Sequence, residues 1–233
     1  MRKISISLIL LVLMFTLDSL PGATSTEPWT STRVTDPNVH AQADSSGYPF
    51  RAKSEYILKE LDLRPGDVVV DIGAGDGWWS ERMAKFVGHD GVIHAGEVEQ
   101  GKVDRMKEKF ADVPQIKPYL CPTDGTALPE NSCDLAFFSL VYHHLNADGR
   151  TDYLRHLHKV VKPTGRVCVI ERYPEIAIKH RSHGVSLSQL VKQAEDAGWI
   201  PVRYELITGT RHYIAFFVQQ DIFSPEQQSP ISR

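Results

Sequence analysis

The chain has 233 residues, of which 42% are hydrophobic, 24% charged and 9% aromatic, the composition of a globular protein with one sizeable core. A formal charge of -3 excludes the strongly basic surface that nucleic-acid binding requires. Its three cysteines, Cys121, Cys133 and Cys168, fit no zinc-binding spacing. They read as small buried hydrophobes, with a Cys121–Cys133 disulfide as the alternative.

Residues 1–25 read as a secretory signal peptide. Arg2 and Lys3 form a positive start, Ile4 to Leu17 an apolar stretch, and Ala23-Thr24-Ser25 a small-residue cleavage site. The stretch is shorter than the roughly 20 residues that a membrane span needs. The expectation is an exported chain, periplasmic or secreted, without a membrane span once mature; an uncleaved N-terminal anchor is the alternative. Residues 26–47 are polar and aperiodic, a linker or arm. Residues 48–221 form the domain, and residues 222–233 a frayed tail.

Within the domain, helix-like and strand-like segments alternate. A helix over "SEYILKELDL" leads through Pro65-Gly66 into a strand at Val68 to Ile72, followed by glycines at 73, 75 and 77 and a helix "WWSERMAKFVG". Next come a strand "GVIHAGE", a helix "EQGKVDRMKEKFA", and strands "QIKPYL" and "CDLAFFS". A helix "DYLRHLHKVV" stops before Pro163-Thr164-Gly165, where Gly165 supplies a turn. After it lie a strand "GRVCVIE", a helix "SLSQLVKQAEDAG" and two strands, "PVRYELIT" and "HYIAFFVQ", close enough to pair antiparallel. The fold class expected is α/β: a Rossmann-like, doubly wound, seven-stranded and mostly parallel sheet with a C-terminal antiparallel hairpin at its edge.

"VVVDIGAGDG", residues 68–77, brings bare backbone near a ligand at the end of the first strand, where such sheets bind. No Lys-Ser/Thr follows, which excludes a phosphate-binding P-loop. The G-x-G-x-G spacing also differs from the G-x-G-x-x-G of nicotinamide dinucleotide folds. The segment resembles the first motif of class I S-adenosylmethionine-dependent methyltransferases, nearest the type 11 group that modifies small molecules. "GVIHAGEVE" is similar to that family's second motif, and "TDGTALPENSCDLAFFSLVYHHL" to its adenine-binding stretch. "YLRHLHKVVKPTGRVCVIE" is similar to the helix, turn and fifth strand of the same family. The likeness runs from Ser54 to Gln219. Thr164 and Cys133 depart from the family's usual glycine and aromatic residue.

The resemblance implies S-adenosyl-L-methionine as cofactor and a small-molecule substrate. It carries cofactor contact onto Asp71, Gly73, Ala74, Gly75, Asp76, Gly77, Glu97, Val98, Asp124, Gly125 and Ser139. Glu97 would hold the ribose hydroxyls and Asp124 the adenine amine, while Asp71 and Asp76 put negative charge near the ammonium and sulfonium. Trp78 or Trp79 would line the methionine end, where a cation can sit on an aromatic face. Tyr48 and Arg51 lie in an arm able to fold over the site.

The acceptor side is less legible, because displacement at a sulfonium needs alignment more than any fixed set of catalytic groups. Its candidates are His143 or His144, which as neighbours do not both face a pocket, and Glu171, to orient an acceptor hydroxyl or amine or else to pair with Arg172. Tyr142, Tyr173, His180 and His183 lie in the same region. His156 and His158 read as surface residues, and no metal site is expected. The reaction implied is methyl transfer to an oxygen, nitrogen or sulfur atom; the alternative is an exported binding module without turnover. Oligomeric state is not readable.

Overall fold

The computed structural model describes residues 49–174 and 184–223. The leader, the whole linker, the loop with His180 and His183, and the end of the tail lie outside the described residues. A 3-10 turn at Pro49–Lys53 leads into α1 (Ser54–Glu60), then β1 (Val68–Ile72), α2 (Trp78–Val87), β2 (Val92–Glu97), α3 (Gln100–Lys109) and β3 (Ile116–Leu120). β4 (Cys133–Ser139) follows, then 3-10 turns at Tyr142–His144 and Ala147–Gly149, α4 (Arg150–Val160) and β5 (Val161–Arg172). The chain ends with α5 (Leu187–Glu195), β6 (Trp199–Leu206), β7 (His212–Gln219) and a 3-10 turn at Gln220–Phe223.

The seven strands form one sheet in the order β3-β2-β1-β4-β5-β7-β6. β1 pairs in parallel with β2 and β4, and β5 with β4; β7 runs antiparallel to both β5 and β6. The expected doubly wound sheet with a hairpin at its edge is therefore the fold. Pro118, which cannot donate to a ladder, sits in the edge strand β3, where its missing N–H is tolerated.

Alternation along the strands splits the core in two. Val69, Phe137, Ile170 and Phe216 point to one face, where α1, α2 and α3 cover them through residues such as Ile57, Met83 and Met106. Val70, Phe138, Val169 and Phe217 point to the other, against Leu157 of α4, Leu190 of α5 and Trp199. Strands buried on both faces read as continuous apolar runs, as "VVV" and "LAFF" do. All three cysteines are buried and free, so no disulfide joins Cys121 to Cys133.

Most element ends fall within a residue or two of the sequence expectation; β5 departs further. It starts at Val161, and its register against β4 slips between Cys133 and Leu135, so Lys162 to Gly165 bulge within the strand. Gly165 has no positive φ, contrary to the turn expected there. What requires a glycine is space: a Cβ would lie 2.6 Å from Val161 Cγ1 and 2.9 Å from the Asp134 carbonyl oxygen. Gly165→Ala is expected to destabilise the fold by roughly 1–3 kcal/mol through overpacking. Urea unfolding of the two proteins measures this, and equal midpoints would remove the explanation.

Candidate functional site

A cavity of about 870 Å³ opens at the carboxyl ends of β1, β2 and β4. Here the strand order reverses, since the chain runs from β1 to β2 and β3 on one side and then crosses from β3 to β4 on the other, which leaves the crevice where doubly wound sheets take ligands. The volume is within the roughly 300–1,000 Å³ of small-molecule and cofactor sites.

Its floor is the loop after β1. Gly73, Gly75 and Gly77 have φ of 68°, 64° and 74°, the left-handed region that side chains disfavour. They serve different ends. A Cβ on Gly73 would strike Val141 Cγ2 at 2.3 Å, and one on Gly77 would strike Phe110 Cε2 at 2.4 Å, so both permit close packing. A Cβ on Gly75 would meet nothing within 4 Å, and Gly75 lines the cavity. Ala74 N–H donates to the Gly96 carbonyl at 2.9 Å and ties the loop to β2.

Glu97, at the end of β2, completes the floor. Although buried, its carboxylate lines the cavity, accepting Gly75 N–H at 3.0 Å on one oxygen and Val98 N–H at 2.8 Å on the other. Lys102 stands 3.9 Å away, with its ammonium held at 2.6 Å by Glu99. Asp71 faces α2, where Ser80 Oγ donates to it at 2.6 Å. Burial pushes its carboxyl up to about 7, and the nearby charges of Glu97 and Asp76 act the same way, against the Ser80 hydrogen bonds.

The wall after β4 starts at Ser139, whose Oγ receives the Trp79 indole N–H at 2.8 Å. Leu140 follows with φ 56°, a strained conformation for a leucine, and its N–H donates to the Ile170 carbonyl at 2.9 Å. Of the adjacent histidines only His144 lines the cavity. The ring of His143 lies 4.0 Å from that of His144, and its Nδ1 meets the fully buried Glu171 at 2.8 Å. Glu171 also accepts the N–H of His143 at 3.1 Å and of Arg172 at 2.7 Å, so a buried carboxylate is met by three donors.

Of the residues expected at the cofactor site, Asp71, Gly73, Ala74, Gly75, Asp76, Glu97, Val98, Asp124 and Ser139 line this cavity, whereas Gly77 and Gly125 do not. On the acceptor side, His144 lines it while His143 and Glu171 sit behind. Both tryptophans line the cavity too, but the cations over Trp78 belong to the protein: Arg82 at 3.4 Å and Arg51 at 4.5 Å from its ring centre. The arm does reach the site, since Phe50 is buried between Trp79 and His212 and, with Arg51, lines the cavity; Tyr48 lies outside the described residues.

His156 corrects the surface reading. It is half-buried, and Thr126 N–H donates to its Nε2 at 2.9 Å. A single helical histidine carries no signal of such a contact, because the acceptor's partner is 30 residues away. Among the described residues, no group of three or more His, Cys, Asp or Glu could hold a metal, and no helix is long and apolar enough to cross a membrane.

The lining carries six acids, Asp71, Asp76, Glu97, Glu99, Asp124 and Asp152, against Arg51 and Lys102 as bases. Such a site suits a positively charged ligand with hydroxyls and opposes a phosphate. The open space at Gly75 and the oriented carboxylate of Glu97 fit S-adenosyl-L-methionine, a ribose-bearing sulfonium without phosphate. Fold and cavity together match the pattern of a class I methyltransferase domain.

Comparison with known proteins agrees. Residues 69–165 match the family model described as a methyltransferase domain. Ubiquinone/menaquinone biosynthesis C-methyltransferase UbiE of Paraburkholderia phymatum is 27% identical over 127 residues, which is 54% of this chain and 51% of that protein. The Burkholderia mallei protein of the same name is 26% identical over 122 residues, or 52% and 49%. The match thus spans about half the length of these curated relatives. An S-adenosylmethionine-dependent methyltransferase from Aquifex aeolicus superposes with a TM-score of 0.65 at 25% identity, covering 73% of this chain and 93% of that one. Geranyl diphosphate C-methyltransferase from Streptomyces coelicolor, crystallised with S-adenosyl-L-homocysteine, shares the fold at a TM-score of 0.61 and 11% identity, covering 72% and 80%. Fold, family match and relatives together support a class I S-adenosylmethionine-dependent methyltransferase.

The raised Asp71 carboxyl has a consequence for stability. Folding favours its protonated form, so its contribution is full below the ordinary carboxylate range and is lost as pH rises through about 7. Asp71→Asn is therefore expected to gain roughly 2–4 kcal/mol on the wild type between pH 4 and pH 8 in the absence of ligand. Urea unfolding across that range tests this; parallel pH profiles would count against it.

Proposed function

We propose that this protein transfers a methyl group from S-adenosyl-L-methionine to an oxygen, nitrogen or sulfur atom of a small molecule. The observation that carries the reading is the Glu97 carboxylate, buried, facing the cavity and aimed by the backbone N–H groups of Gly75 and Val98. Once bound, the cofactor supplies an electrophilic methyl group, whose bond to sulfur breaks, leaving the electron pair on sulfur, as the bond to the acceptor forms.

The chain's own part is to bind, align and manage charge. Glu97 accepts the ribose hydroxyls on lone pairs its amide donors leave free, and Asp124 accepts the adenine amine. Asp71 and Asp76 supply negative charge for the cofactor's cationic end. Gly73, Ala74 and Gly75 let the backbone approach it, and Val98 and Ser139 bound it. His144, exposed and lining the cavity, takes the acceptor's proton and passes it to solvent. Glu171 and His143 set its position.

The similar UbiE proteins are C-methyltransferases, which makes carbon the competing target atom. An exported module that binds without turnover is the other alternative. We propose further that residues 1–25 direct export, a reading supported by their charge and apolar pattern alone. A mature chain starting after residue 25 outside the cytoplasm is the expected result of fractionation and N-terminal sequencing; a chain retained inside with Met1 intact would refute export.

Calorimetry should detect S-adenosyl-L-homocysteine binding, and Glu97→Gln should weaken it by roughly tenfold or more, the cost of one charge-assisted hydrogen bond. Absence of heat with the wild-type protein would sink the cofactor reading. Across a panel of catechol, aniline and thiol acceptors, His144→Ala should lower transfer about a hundredfold with cofactor affinity unchanged. Cofactor binding without transfer to any acceptor would favour the non-catalytic module.

A further inference from the structure

The loop from Cys121 to Thr126 carries Asp124 at the cavity and is tied to α4 on its far side. The Gly125 carbonyl receives the Tyr153 hydroxyl at 3.1 Å and the Cys121 thiol at 3.3 Å. Thr126, fully buried, donates its N–H to His156 Nε2 at 2.9 Å, and its Oγ1 lies 3.0 Å from the same nitrogen. The ring packs so closely on Gly125 that a Cβ there would be 3.0 Å from Nε2. Because Nε2 accepts from an amide, it holds no hydrogen, and the neutral ring carries its proton on Nδ1.

We propose that His156 is a positioning residue for the Asp124 side of the cofactor site, and that a proton on Nε2 loosens this loop and weakens cofactor binding. The proposal rests on the reading of the cavity as an S-adenosylmethionine site. A protonated Nε2 turns its hydrogen toward the Thr126 amide, which has a hydrogen of its own and no lone pair. The Thr126 hydroxyl can rotate to accept that hydrogen, but the amide cannot, and burial leaves it no water.

The groups around the ring act in both directions. Burial lowers the His156 pKa most; Asp124, in the loop, raises it, and Lys159, on α4, lowers it. Tyr153, one turn earlier on α4, faces it with a neutral ring at 6.3 Å. The net shift is downward, so the folded loop favours the neutral imidazole. Its contribution is complete above the ordinary histidine range of roughly 6.5 and declines as pH falls below it.

The test compares the full chain with His156→Gln, whose amide oxygen accepts a hydrogen bond without titrating, and with His156→Leu, which accepts none. Calorimetry with S-adenosyl-L-homocysteine at pH 7.5 and pH 5.5 is expected to show the wild type losing about twofold to fivefold more affinity on acidification than His156→Gln. His156→Leu should bind about tenfold more weakly than either at pH 7.5. Hydrogen-exchange protection of the Thr126 amide in ligand-free protein should follow the same order. Equal pH responses in wild type and His156→Gln, or unchanged Thr126 protection in His156→Leu, would overturn the assignment directly. The expected protection pattern in a wild-type protein that binds no S-adenosyl-L-homocysteine would overturn it through the cofactor reading instead.

Discussion

The left-handed glycines after β1 turn one loop N–H, that of Gly75, onto a buried carboxylate at the end of β2, and this contact ties the two strand ends together. Glu97 is that carboxylate, with Gly75 N–H on one oxygen and Val98 N–H on the other, while Ala74 N–H reaches the Gly96 carbonyl. A buried carboxylate would be costly without these donors, and the donors would be unsatisfied without it. The ends of β1 and β2 are thereby locked together at the mouth of the cavity. Everything the site presents, from the open space at Gly75 to the wall at Ser139, is placed relative to that lock.

The sheet supplies the rigid support. β1 is buried on both faces and flanked by β2 and β4, so its end cannot shift without moving both cores. The loop's glycines are matched to this packing, with Val141 against Gly73 and Phe110 against Gly77 at distances that admit only hydrogen. Phe50 then closes one side from a different part of the chain, stacked on Trp79 and tilted against His212. The pocket is thus walled by well-packed residues from elements far apart in sequence, a condition for holding two reactants in line.

In and behind this lining, buried polar groups each depend on a specific partner. Asp71 relies on Ser80, Glu171 on His143 and the Arg172 amide, and Thr126 on His156. Each pair is satisfied, yet each replaces apolar contact, and Leu140 adds backbone strain beside them. Such groups concentrate at the carboxyl end of the sheet, around the cavity. The opposite end carries more ordinary ties, such as Lys162 to Asp134.

By itself the sequence determined the element order, the doubly wound class and most of the loop and strand-end residues that line the cavity. These depend on period, glycine spacing and residues that follow one another at strand ends, all local properties of the chain. It also separated the two histidines in principle, since neighbours on a turn face different ways. What only the tertiary structure decided are contacts between residues far apart: Glu171 with His143, His156 with Thr126, and Arg51 over Trp78. The glycines' roles divide the same way. The positive φ of Gly73, Gly75 and Gly77 was legible from the loop motif, but Val141 against Gly73 and Phe110 against Gly77 come from distant segments, and only packing shows which glycine meets the ligand's space and which meets the core.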